Sequence, residues 1–123
     1  HSFMPAPIHA GGLRYHGNAP VLCNVVDAGL VEPRAYFQKE CFDAAKLFLQ
    51  TEGFLPAPET SHAIKAAIDT AKEAPAGSNI VFLYSGHGML DLASYDAYNR
   101  GDLVNYELPQ DVIDTALQEC PDI

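Results

Sequence analysis

Basic residues are scarce in this chain: seven Lys and Arg stand against sixteen Asp and Glu, a formal charge of −9. Nucleic acid and anionic membrane surfaces both call for a basic face, so neither is an expected partner. Long hydrophobic runs are missing as well. No apolar stretch approaches the ~18 residues of a membrane span, and no signal-peptide pattern stands out. Cysteines number only three, Cys23, Cys41 and Cys120, odd in count and widely spaced. That suits a reducing, cytoplasmic setting better than a disulfide scaffold. No CxxC or Cys/His cluster has zinc spacing. The histidines His9, His16, His62 and His87 show no HxH or HxxxH pattern, so no metal centre is expected on them.

What is present suits one domain with a real core: 123 residues, 48% of them hydrophobic. Most of the excess acid falls after residue 90 and reads as solvated surface, including an acidic tail over 110–123. The opening His1-Ser2-Phe3-Met4-Pro5 reads like the middle of a chain, so a piece of a longer protein is expected.

Residues 1–20 are rich in Gly, Pro and His and read as loop. Apolar positions 21, 22, 25 and 26 predict a helix stopped near Gly29. Positions 41, 42, 45, 48 and 49 predict a helix over 39–51, ended by Gly53. Ser61 serves as N-cap for a helix over 61–74 with Ile64, Ala67, Ile68 and Ala71 on its apolar face. A further helix is expected over 90–99, and a weak amphipathic one after Pro109. Short strands are expected at 34–37, 54–57 and 80–84. Strands alternating with helices predict an α/β fold, a partial three-layer unit with a short parallel sheet flanked by helices. Three strands make a thin sheet, which implies missing neighbours.

The stretch NIVFLYSGHGMLDL, residues 79–92, is the most suggestive. Its apolar run reads as a strand buried on both faces, ending at Ser85-Gly86-His87-Gly88. Ligands in open α/β sheets collect beyond the carboxyl ends of strands. Ser85 is therefore either a helix cap or a binding residue. It is no nucleophile elbow, because Leu83 stands where GxSxG needs its first glycine. Glu52, beside Gly53, is either a surface carboxylate, mildly unfavourable at a helix end, or a functional group. Arg14 and His16 in GLRYHG are either an anion-binding pair or ordinary loop surface. His62, in a first helical turn, reads as structural.

Taken together, IHAGGLRYHGNAP, KECFDAAKLFLQTEGFLPAPETSHAIKAAID and VFLYSGHGMLDLASYDAY resemble the carboxyl-terminal third of tryptophan synthase β chains. GLRYHG is similar to the second class of β chain, which sometimes acts without an α subunit. The resemblance implies a fold of the tryptophan synthase β type and pyridoxal phosphate as cofactor. The implied reaction joins L-serine and indole into L-tryptophan by β-replacement. It implies that Ser85, with Gly86 beside it, faces the ring nitrogen of the cofactor. It implies that Glu52 assists proton transfer or positions intermediates, and that Gly12 and Arg14 lie near the substrate. Tyr15 and Gly17 match positions whose carbonyl oxygens hold a monovalent cation. Arg14 stands where the first class has an aspartate, which leaves the substrate less certain than the fold.

The family's cofactor-holding lysine and phosphate-binding loop belong to an amino-terminal part that precedes these motifs. Lys39, Lys46, Lys65 and Lys72 do not match that lysine, so the expectation is one wall of a site, silent alone and with no cofactor held covalently. The missing amino-terminal part and a second copy of the chain are the expected partners. A free-standing interaction or small-ligand module derived from that enzyme is the other reading.

Overall fold

A computed structural model describes residues 7–15 and 17–118. Among the described residues five helices follow one another: α1 (Pro20–Asp27), α2 (Gln38–Glu52), α3 (Pro58–Glu73), α4 (Leu92–Arg100) and α5 (Gln110–Gln118). Three-residue 3-10 turns lie at Gly11–Leu13 and Gly88–Leu90.

Helix α2 begins where the Glu40 carboxylate accepts the Phe37 backbone N–H at 2.8 Å, so one of the orphan donors of the first turn is satisfied. It ends at Gly53, whose φ of 76° is the left-handed conformation that glycine adopts without a Cβ penalty. Its buried face is Cys41, Phe42, Ala44 and Ala45. Leu49, expected on that face, is 37% exposed. Burial pushes the Cys41 thiol up to about 12, which keeps it protonated and inert.

Helix α3 packs along α2. It starts three residues earlier than the sequence predicts, because Pro58 sits in its first turn, where the missing N–H costs nothing. Ser61 is therefore no N-cap; it lies inside the helix and donates to the Pro58 carbonyl at 2.5 Å. His62 turns to the same carbonyl at 2.9 Å. Ile64 is buried, as its spacing predicts.

The small core joins Phe42 and Ala45 of α2 to Tyr95 of α4 and to Leu103, with Leu55 and Tyr98 packed around it. The Phe42 ring meets Tyr95 edge-on at 5.0 Å and stacks on Tyr98 at 5.4 Å, geometries that aromatic quadrupoles favour.

The parallel sheet is not found among the described residues. Residues 34–37, 54–57 and 80–84 form no strand, and the one β-bridge, Pro56 with His87, is antiparallel. The reason lies in backbone donors and partners. Pro56 and Pro58 have no N–H to give a ladder. Val81 and Leu83 are 92% and 79% exposed, and the run at 80–84 forms no backbone ladder among the described residues. What does form is a short clasp: Ala57 N–H donates to Gly86 O at 2.9 Å, and Gly88 N–H to Leu55 O at 2.7 Å.

Candidate functional site

The clasp brings the serine-glycine segment to the amino end of α3. The Thr60 side chain, fully buried, lies 3.1 Å from the Ser85 hydroxyl and donates to the Gly86 carbonyl at 3.1 Å. Ser85 itself is exposed. It does not cap a helix: Asp91 occupies the position before α4, and His87 accepts the Met89 N–H ahead of the 3-10 turn. Its hydroxyl is thus anchored on the protein side and open on the other.

Two contacts fix the segment from behind. The Tyr95 hydroxyl donates to the Pro56 carbonyl at 2.6 Å, and that of Tyr84 to the Leu55 carbonyl at 2.9 Å. Burial raises the pKa of both phenols, so each remains a donor through the neutral range. Gly88 fits against this strap only because it lacks a side chain. A Cβ there would stand 2.4 Å from the Pro56 oxygen.

The other arm is the loop around Gly12. Its N–H donates to a Glu59 carboxylate oxygen at 2.6 Å, and Glu59, in the first turn of α3, is favourably placed for the helix dipole. Upstream, His9 N–H donates to the Gln38 side-chain oxygen at 3.2 Å, and the His9 ring meets the Ser94 hydroxyl at 3.1 Å. One helical turn therefore grips both candidate segments: Glu59 holds Gly12, and Thr60 holds Ser85 and Gly86.

Glu52 closes α2 and borders a groove of about 350 Å³ lined by Leu47, Phe48, Ile64, Ile68 and Phe82. Among the described residues its carboxylate makes no hydrogen bond to the Ser85 segment. Arg14, Tyr15 and Gly17 are exposed on the loop, with Tyr15 83% exposed. His16 between them lies outside the described residues, as does Cys120. No group of His, Cys, Asp and Glu that could hold a metal ion occurs among the described residues. No helix there is long and apolar enough to cross a membrane.

Sequence reasoning missed Glu59, Thr60 and Tyr95. A signal for the first two was available: proline at a first helical position predicts a start at Pro58, which sets Glu59 and Thr60 in the opening turn. Tyr95 carried no local signal, since its partner lies 39 residues away.

No family profile matches the chain. Individual proteins do. The chain is 53% identical to tryptophan synthase β chain 2 of Aquifex aeolicus over 108 residues, 85% of this chain and 25% of that protein. It is 55% identical to the β chain 2 of Pyrococcus furiosus over 115 residues, 91% of this chain and 26% of that one. With the β chain 2 of Aeropyrum pernix it shares 50% identity over 115 residues. The chain spans about a quarter of the length of the curated relatives it matches.

Proposed function

From this chain's membership of the tryptophan synthase β family, matching the carboxyl-terminal part of those proteins, we propose that it forms one wall of a pyridoxal phosphate site. The reaction at that site is the β-replacement of L-serine by indole to give L-tryptophan. The observation that carries this reading is the Ser85 hydroxyl, exposed yet anchored by the buried Thr60.

The residues present fit the cofactor's ring edge. A hydroxyl can either donate to or accept from a ring nitrogen. Gly86 adds no side chain beside it, and a Cβ there would already press on that of Ala57 at 3.3 Å. When bound, pyridoxal phosphate supplies an electron sink for the amino acid, and the protein tunes how strong that sink is. Ser85 does so by offering a neutral partner, which leaves the ring nitrogen free of the proton that a carboxylate would hold there. That favours loss of the serine β-hydroxyl over transamination. Gly12 and Arg14 border the substrate, with the Gly12 N–H held in place by Glu59. Glu52 holds or moves a proton at the edge of the apolar groove it borders. Tyr15 and Gly17 offer backbone carbonyls to a monovalent cation.

A chimera tests the reading, with this chain in place of the matching quarter of a relative. It should make L-tryptophan from L-serine and indole. Glu52→Ala in that chimera should lower turnover by roughly 10²- to 10⁴-fold, the usual worth of a general acid–base group, with little change in Tm. A cofactor-loaded chimera with no tryptophan formed, or a Glu52→Ala variant with normal turnover and a much lower Tm, overturns the assignment.

A further inference from the structure

Thr60 has one hydroxyl proton and two oxygen neighbours, both at 3.1 Å. The Gly86 carbonyl can only accept, so with no ligand it takes that proton and Ser85 donates to Thr60. Once Ser85 turns its own proton to an unprotonated ring nitrogen, the Thr60 proton is shared between the Ser85 and Gly86 oxygens. The side chain doing this is fully buried in the first turn of α3, with 0% exposure. Ser85, by contrast, stands in an exposed segment where a serine ordinarily samples three staggered rotamers. The Gly86 carbonyl next to it accepts from both Ala57 N–H and Thr60.

We propose that Thr60 is a positioning residue that selects one Ser85 rotamer and locks the Gly86 carbonyl with it, so that α3 sets the direction in which the Ser85 hydroxyl meets a ring nitrogen. This rests on the reading that Ser85 faces the cofactor. Thr60 touches no ligand; it acts through Ser85. Removing its hydroxyl frees Ser85 to distribute over three wells and leaves the Gly86 carbonyl with a single donor.

The test uses the cofactor-loaded holoenzyme carrying this segment, with pyridoxal phosphate labelled with ¹⁵N in its ring. Thr60→Val should weaken pyridoxal phosphate binding at least about threefold, the dilution over three rotamers, and should move the ring ¹⁵N shift. Thr60→Ser should restore both, since it returns the hydroxyl without the methyl. Should the valine variant fail to fold, Thr60→Ala removes the same hydroxyl without added bulk. Ser85→Ala is the control. If Ser85→Ala moves the ¹⁵N shift while Thr60→Val and Thr60→Ala leave shift and affinity at the parent values, positioning by Thr60 is overturned and the Ser85 reading stands. If Ser85→Ala also leaves the shift unchanged, Ser85 does not face the ring nitrogen and both fall.

Discussion

Ser85 offers a hydroxyl where an aspartate would offer a fixed negative charge, and that choice sets the chemistry expected of it. A carboxylate within hydrogen-bond reach of a ring nitrogen favours its protonated form, whereas a hydroxyl is nearly indifferent. In the holoenzyme Ser85→Asp should therefore raise transamination relative to β-replacement. Product ratios by chromatography check this, and an unchanged ratio with cofactor still bound removes Ser85 from the ring nitrogen. The motif around SGHG made this residue legible in the sequence, because the apolar run before it and the glycines after it marked a segment end. Its partner was not legible. Thr60 lies 25 residues away, and nothing in the spacing of APETSHA says that its hydroxyl turns toward Gly86 and not to solvent.

Elements explain why the site holds its shape. The clasp between 55–57 and 86–88 consists of two backbone hydrogen bonds backed by the Tyr95 hydroxyl, and it closes only where Gly88 passes the Pro56 carbonyl. Gly88→Ala would place a methyl 2.4 Å from that oxygen and 3.0 Å from both Leu55 and the Tyr95 ring. Backbone cannot yield cheaply there, and such overpacking typically costs about 1–3 kcal/mol. A denaturant midpoint lowered by that amount is the expected result; an unchanged midpoint contradicts the close approach. Helices α2 and α3 were readable from their apolar spacing to within three residues, with Gly53 marking the end of α2. The start of α3 shifted because proline chemistry outranked the serine as a start signal.

For the molecule as a whole, the decisive feature is apolar surface left open. Val81, Leu83 and Leu90 are 92%, 79% and 90% exposed, and large contiguous apolar patches are uncommon on soluble monomers. The chain on its own should therefore self-associate. Sedimentation at micromolar concentration checks it; a clean monomer that binds no hydrophobic dye speaks against it. The lysines carry a second expectation. Lys65 is paired with Asp69 at 2.5 Å and Glu40 at 3.6 Å, Lys72 with Asp69 at 3.6 Å, and Lys46 lies over the Tyr98 ring. None of them, nor Lys39, contacts Ser85 among the described residues. Borohydride reduction of the chain with pyridoxal phosphate should leave no stoichiometric label on any lysine by mass spectrometry, and a single fully labelled lysine would falsify this.

The sequence by itself determined which stretches are helical, because apolar spacing, Gly53 and the prolines act within a few residues of where they stand. It also carried the candidate residues as motifs, Ser85-Gly86 and Glu52-Gly53 among them. Only the tertiary structure decided that Ser85 and Gly86 meet Thr60, that Gly12 meets Glu59, and that Glu52 shares an apolar groove with Phe82, since these depend on packing across 25 to 47 residues of chain. It also decided that the run at 80–84 stays unpaired. A strand is completed by hydrogen bonds to another strand, and local apolar pattern expresses the readiness to pair without supplying the partner.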